Sequence, residues 1–266
     1  MASPIATWRR FLARPNDDRV KTLGIAFLVA FCAALLVSTA SVLLKPRQQA
    51  HIEAARQAQL DRMLDTLPGL RDLMLEAGVD ALQTRLVDLE TGSFATGIDP
   101  AAFDPRAAAQ DPATSIDLPP EADIAGLKRR ATLAPVYLLE SDGELKVIVL
   151  PVEGAGYQST IRAYLALEAD LNTIAALTIY EQGDTPGLGA RITEPAWAAL
   201  WPGKQIADET GEVVISVVRG QATTPYEVDG ITGATRTSSG VHDMLRFWLG
   251  PYGYGPFLET LKAEGL

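Results

Sequence analysis

Residues 131–152 read ATLAPVYLLESDGELKVIVLPV, two strand-like runs rich in Leu, Val and Ile on either side of the turn residues Ser141-Asp142-Gly143. Runs of the same kind follow at 157–168 (YQSTIRAYLALE), 173–182 (TIAALTIYEQ) and 212–220 (EVVISVVRG), interrupted by one short helical candidate at 194–201, EPAWAALW. Strands that arrive in adjacent pairs leave no room for the long crossovers that parallel pairing needs. This order predicts an α+β domain built on a mostly antiparallel sheet. Helix signals return at Ser238, where SSGVHDMLRFWLG places Val241, Met244, Leu245, Trp248 and Leu249 on one face. Asp243 lies in its first turns, where the helix dipole favours an acid. The final segment, GPYGYGPFLETLKAEGL, is a glycine-broken turn followed by a short terminal helix.

Upstream of the strands the chain changes character. From Thr22 to Leu44 run 23 residues without a charge, TLGIAFLVAFCAALLVSTASVLL, between Lys21 and Lys45. As a helix rising about 1.5 Å per residue this segment is roughly 35 Å long, enough for a hydrocarbon layer of about 30 Å. A cleaved signal peptide is the rival reading, but the run exceeds the usual apolar core of about 7 to 15 residues and no small-x-small cleavage site follows. The basic residues before the span (Arg9, Arg10, Arg14, Arg19, Lys21) slightly outweigh those after it (Lys45, Arg47, Arg56, Arg62), which places the N-terminus in the cytoplasm. The organisation expected is a cytoplasmic segment 1–21, a transmembrane helix 22–44, a stalk helix and the start of the soluble domain over 45–97, and the main domain over 98–266. Within the last, residues 98–121 (IDPAAFDPRAAAQDPATSIDLPPE) hold five prolines and four aspartates without a period and read as an ordered loop or linker.

Charge and rare residues exclude several functions. Residues 1–47 carry a balance of +5, so the total of −10 leaves −15 on the rest. A body that acidic repels phosphate backbones, and nucleic acid is not an expected partner. One cysteine, Cys32, allows no intrachain disulfide, and two distant histidines, His51 and His242, do not suggest a metal centre built by the protein.

Val228–Gly240, VDGITGATRTSSG, needs its own explanation, with five hydroxyl side chains and three glycines in thirteen residues. It leaves a strand, turns on glycine and ends where a helix begins. Thr237 or Ser238 as a helix cap, with Gly230 and Gly233 serving the turn, accounts for part of it. Asp229, Thr232 and Thr235 on the strand side are left over. Either the helix start binds a phosphate without a covalent bond, or one hydroxyl is a nucleophile that becomes esterified.

The run Asp229-Gly230-Ile231-Thr232-Gly233-Ala234-Thr235 closely resembles the flavinylation motif, an Asp followed by Ser/Thr-Gly-Ala-Thr. That motif belongs to the NqrC family of the sodium-translocating NADH:quinone oxidoreductase and to the related flavoprotein of the RNF complex. YEQGDTPGLG at 180–189 is similar to the family's ETPGLG loop, with Asp184 in place of Glu. DPRAAAQDP at 104–112, WAALWPGK at 197–204 and GPYGYGPFL at 250–258 resemble the quinone-reductase branch more than the shorter RNF proteins. Tyr157-Gln158 stands where the family has Leu-Trp after the Gly154-Ala155-Gly156 turn. The resemblance implies an FMN-binding domain and an electron-transfer subunit relaying electrons from NADH toward quinone, with FMN joined to Thr235 by a phosphoester that a flavin transferase makes. It implies that Asp229, Thr232, Gly233, Ala234 and Thr237 surround the attachment point, and that Thr185, Leu188 and Tyr157 lie beside the flavin. Other membrane subunits of the reductase are the implied partners. The implied location is the bacterial inner membrane, with a single pass and the C-terminal domain in the periplasm.

Three other readings remain at this point: a flavoprotein like that of the RNF complex, an anchored assembly module without flavin, and an anchored hydrolase. The hydrolase would use Thr235 or Ser239 with His242 and Asp243, although catalytic triads are usually assembled from distant segments.

Overall fold

The computed structural model describes residues 82–265, together with residues 13, 15, 18, 19, 21–31 and 33–35. The chain divides into two units, residues 1–58 and 59–266. In the first, residues 21–31 and 33–35 are helical and expose Leu23, Phe27, Val29, Phe31 and Leu35. Among the described residues no helix is long and apolar enough to cross a membrane. Residues 32 and 36–44 of the expected span, and the stalk expected after it, lie outside the described residues.

The second unit is a mixed α/β domain on an antiparallel sheet. Strands β5 (Leu133–Ser141) and β6 (Glu144–Ala155) form its central hairpin. Asp142 and Gly143 both take positive φ, 56° and 78°, as a two-residue type I′ turn requires. Strands β1 (Gln83–Asp88), β2 (Ser93–Phe94), β7 (Thr160–Glu168) and β8 (Ile174–Glu181) complete a six-stranded sheet in the order β2-β1-β5-β6-β7-β8, antiparallel throughout. In β6 the run Val147–Leu150 is buried on both faces: Ile148 and Leu150 join the main core, and Val147 and Val149 a smaller cluster with Tyr137 and Tyr164.

The segment read as a loop at 98–121 contains a helix. Asp104 accepts hydrogen bonds from the backbone N–H groups of Arg106 (2.9 Å) and Ala107 (3.2 Å), and Pro105 opens helix α1 (Pro105–Gln110). Six residues are too few to show a period, so only the cap signals it. Strand β3 (Ser115–Asp117) then pairs with β4 (Arg129–Ala131).

The run at 212–220 also differs from its reading as one strand. The Val214 and Ile215 N–H groups bond to the Ile206 carbonyl, and only β9 (Ser216–Val218) is a strand, pairing parallel with β10 (Glu227–Asp229). The predicted helical piece at 194–201 is a single turn, α2 (Pro195–Ala198), after a 3₁₀ turn at Gly189–Thr193. Helices α3 (Thr235–Leu249) and α4 (Gly255–Glu264) close the chain. Val241, Met244, Leu245, Trp248 and Leu249 are buried, as the periodicity predicts, and each such side chain contributes about 1.5–3 kcal/mol. Close approach of α3 to β6 depends on two glycines. A Cβ on Gly240 would lie 2.5 Å from the Ala155 carbonyl oxygen, and one on Gly154 would lie 2.8 Å from the Met244 Cβ. This packing fixes the start of α3 against the end of the β6–β7 hairpin, where the site lies.

Candidate functional site

Three loops meet at the start of α3, and one carboxylate ties them together. Asp184 is 5% exposed. Its Oδ2 accepts a hydrogen bond from the Thr237 hydroxyl at 2.5 Å and its Oδ1 accepts one from the Gln158 backbone N–H at 3.0 Å. The Gln182 side-chain carbonyl takes the Asp184 N–H at 2.6 Å. The β6–β7 turn, the 183–189 loop and helix α3 are thereby held in one register. Gly189 leaves space for this bond: a Cβ there would lie 2.4 Å from the Thr237 Oγ1 and 2.8 Å from the Asp184 Oδ2.

The 183–189 loop itself turns on Thr185-Pro186-Gly187-Leu188. The Leu188 N–H bonds to the Thr185 carbonyl at 3.1 Å, and Gly187 has φ 75°, the pattern of a type II turn. The turn leaves Leu188 48% exposed and sets it beside the next loop, since a Cβ on Gly233 would lie 3.6 Å from the Leu188 Cδ2. Gly233 has φ 83°, a conformation that suits glycine. Across the site Tyr157 is 54% exposed, with the Arg236 guanidinium carbon 5.7 Å from its ring centroid.

Helix α3 starts three residues earlier than the hydrophobic pattern indicates, with buried Ala234 at the N-cap and no side-chain cap. The capping role expected of Thr237 or Ser238 is therefore corrected, because both hydroxyls are engaged elsewhere. Thr237 donates to Asp184, and Ser238 Oγ accepts the Ile231 N–H at 3.0 Å, holding the preceding turn. Thr235, the first helical residue, is exposed, as is Thr232 in the turn. Of the residues singled out by sequence, Thr235, Gly233, Ala234, Thr237, Leu188 and Tyr157 come together here, with Thr185 at the base of the 183–189 turn. Asp229 is tied to the loop before it: its Oδ1 accepts the Ala222 N–H at 2.6 Å and its carbonyl accepts the Trp197 Nε1–H at 2.9 Å.

The residues proposed for a hydrolase are not assembled. His242 Nδ1 accepts the Val217 N–H at 3.4 Å, and among the described residues no hydroxyl bonds to the imidazole. Burial lowers the His242 pKa, with Asp243 opposing and Arg246 reinforcing that shift, and burial raises the Asp243 pKa. Sequence reading did not give Asp184, Gly189 or Arg236 a place in the site. The acid of the family's loop is visible at 184, but its partner lies 53 residues away.

Chemically, the site suits a flavin mononucleotide. An uncapped helix start offers backbone N–H groups and the positive dipole end to a phosphate, with Arg236 adding charge and Leu188 and Tyr157 presenting exposed apolar faces. Residues 156–250 match the family model described as "FMN-binding domain", which defines the class: an FMN-binding protein. Two relatives are named as the NqrC component of Na(+)-translocating NADH-quinone reductase. The chain is 39% identical over 260 residues to the one from Pseudomonas aeruginosa, covering 93% of this chain and 97% of the relative. It is also 39% identical over 253 residues to the one from Vibrio alginolyticus, covering 94% and 98%. The crystal structure of Shewanella oneidensis NqrC superposes with a TM-score of 0.68 at 34% identity, over 78% of this chain and all of the other. That of the counterpart from Parabacteroides distasonis superposes with a TM-score of 0.55 at 29% identity, over 77% and 96%. The chain belongs to the NqrC family, one of the subunits of the Na(+)-translocating NADH-quinone reductase, an oxidoreductase complex.

Proposed function

We propose that this chain carries FMN covalently, through a phosphoester on the Thr235 hydroxyl, and relays electrons from NADH toward quinone within the sodium-pumping reductase. The observation that carries the reading is a division of labour among hydroxyls. Thr237 and Ser238 are held by internal bonds, whereas Thr235 is free to solvent at an uncapped helix start. A flavin transferase would form the Thr235 Oγ1–phosphorus bond as the phosphoanhydride bond of an activated flavin nucleotide breaks, the hydroxyl proton leaving to a base.

The bound flavin supplies the redox chemistry, taking up and passing on electrons. The residues around it hold and orient. The first-turn N–H groups of α3 and Arg236 balance the phosphate charge, Leu188 and Tyr157 offer packing surfaces, and Thr185 offers a short polar edge. Asp184 keeps these three segments in register. Retaining a cofactor at nanomolar concentration without a covalent bond takes about 12 kcal/mol and normally demands deep burial. A tether at Thr235 removes that demand and leaves the site open to a neighbouring redox centre. The membrane subunits of the reductase are the partners in this reading. The segment 22–44 is the anchor in the bacterial inner membrane, with the N-terminus cytoplasmic and residues 45–266 periplasmic.

The test is coexpression with a flavin transferase. Wild-type protein gives a fluorescent band in a denaturing gel and an intact mass increased by one esterified FMN. Thr235→Ala gives neither, and fluorescence that survives in this variant refutes the attachment point.

A further inference from the structure

Strand β8 does not run straight into the 183–189 loop. Arg162 of β7 pairs with Glu181 and the next residue, Ala163, pairs with Ile179, so Tyr180 is an extra residue and the strand end is bulged. The Tyr180 ring stacks on Tyr164, with centroids 4.5 Å apart. Glu181 is the last residue of β8, and the side chain after it, Gln182, accepts the Asp184 N–H within the loop. Two cations from different elements hold the Glu181 carboxylate. Arg106 of α1 donates from Nη2 to its Oε2 at 2.5 Å, and Arg162 donates from Nη1 to its Oε1. Arg162 also donates from Nε to Glu153 Oε2 at 2.8 Å, and the Glu153 carbonyl accepts the Trp248 Nε1–H of α3 at 2.7 Å. Charges of alternating sign thus run from β6 through β7 and β8 to α1.

The Glu181 and Arg106 side chains are 44% and 56% exposed, and ion pairs that open to water contribute little to global stability. What such a network can set is position. A bulge bends the strand and interrupts its ladder, which leaves the strand end to be aimed by its side chains. The loop beyond is held on its inner side by Asp184, and its first residue, Gly183, passes close to the β6–β7 turn: a Cβ there would lie 2.9 Å from the Ser159 Oγ. A shift of the strand end therefore moves the loop, and Leu188 with it, relative to the turn that carries Tyr157. We infer that Glu181, clamped between Arg106 and Arg162, is a positioning residue for the flavin: it fixes the aim of the 183–189 loop and so the separation of the two faces, Leu188 and Tyr157, that receive the ring. The inference rests on reading the site as a flavin site.

The test uses the full-length protein in detergent, with Glu181→Gln to remove the charge and keep the shape. Glu144→Gln is the control, an exposed acid bonded to Lys146 at 2.8 Å at the other end of β6. In protein made without the transferase, amide hydrogen exchange of the peptide over 183–191 is expected to quicken several-fold in Glu181→Gln and to stay at the wild-type rate in Glu144→Gln, with the urea midpoint of both near wild type. In flavinylated protein, acrylamide, a neutral quencher, is expected to quench the flavin several-fold more strongly in Glu181→Gln at an unchanged mass of bound FMN. Arg106→Met reproduces both effects, and Arg106→Lys, which keeps the charge, restores them toward wild type. If Glu181→Gln does not fold, Arg106→Met on the exposed helix decides. Loop exchange equal to wild type overturns the inference. So does a loop that loosens while quenching stays at the wild-type value, because Glu181 would then hold the loop without holding the cofactor. Neither readout depends on which hydroxyl carries the flavin, so the attachment point at Thr235 stands or falls separately, on the intact mass of Thr235→Ala.

Discussion

Helix α1 begins with a cap and helix α3 without one, although the hydroxyl-rich sequence precedes α3. At α1 the Asp104 carboxylate accepts two backbone N–H groups and Pro105 removes a donor that has no use there. At α3 the N-cap is Ala234, and the nearby hydroxyls of Thr237 and Ser238 bond away from the helix start. A six-residue helix that buries only Ala108 depends on its cap. A long helix with a buried face does not, because burial of Met244, Leu245 and their neighbours outweighs one missing cap of about 1 kcal/mol. The uncapped start can then be kept for an anion.

The largest effect that can break this contrast is on the cofactor. Thr235→Ala should remove all covalent FMN, yet change the unfolding free energy of flavin-free protein by no more than about 0.5 kcal/mol, because the side chain is exposed. Urea unfolding of both flavin-free proteins checks the second half. A loss of stability well above that bound would mean that Thr235 holds the helix start, and the contrast with α1 would fail.

Next in size is the bond that diverts Thr237. Thr237→Val leaves the buried Asp184 carboxylate without its hydroxyl donor, at an expected cost of about 1.5–3 kcal/mol. Gly189→Ala forces a methyl to within 2.4 Å of Thr237 Oγ1, at about 1–3 kcal/mol. Both act on one network, so the double variant should cost less than the two single costs added. Chemical denaturation of the four proteins measures this, and strict additivity would show that Asp184, Thr237 and Gly189 do not act as a unit.

Asp104→Ala is the matching experiment at the other helix, with an expected loss of about 0.5–2 kcal/mol and no effect on flavin content. Should the variant match wild type in denaturation midpoint, the claim that α1 depends on its cap falls.

What is legible in the sequence follows the range of the forces involved. The hairpins of the sheet are legible because runs of Leu, Val and Ile and turn residues such as Asp142-Gly143 are local signals. The buried face of α3 is legible because its period repeats over three turns. Its start is not: the apolar period begins with Val241 and points to Ser238, whereas the backbone turns helical at Thr235 under a hydrogen bond from Thr237 to a residue 53 positions away. Parallel pairing of β9 with β10 depends on how the intervening loop folds back, and the Asp229 carboxylate on the Ala222 N–H is part of that fold. At the site, Thr235, Leu188 and Tyr157 stand out through the resemblance and not through any period. Asp184 is visible in the sequence as a substitution in a motif, but its bridging role is tertiary.

The smallest effect expected concerns pH, and it tests whether α3 holds a neutral histidine for structural reasons. His242 is half-buried and accepts the Val217 N–H on Nδ1, so a proton on that nitrogen would displace a bond between α3 and β9. Burial places its folded pKa below the ordinary value of 6.5, so the unfolded chain binds the proton more readily. The contribution to stability is present above pH ~6.5 and is lost as pH falls through that value toward the folded pKa. Asp243, raised by burial above its ordinary value of 3.8, acts in a more acidic window and in the opposite sense, because the folded form then holds its proton more tightly. Wild-type protein should therefore be less stable at pH 5.5 than at pH 7.5 by an amount that His242→Phe lacks. Equal pH dependence in the two proteins, measured by urea midpoints, would locate the acid sensitivity elsewhere and leave the Val217 contact without energetic weight.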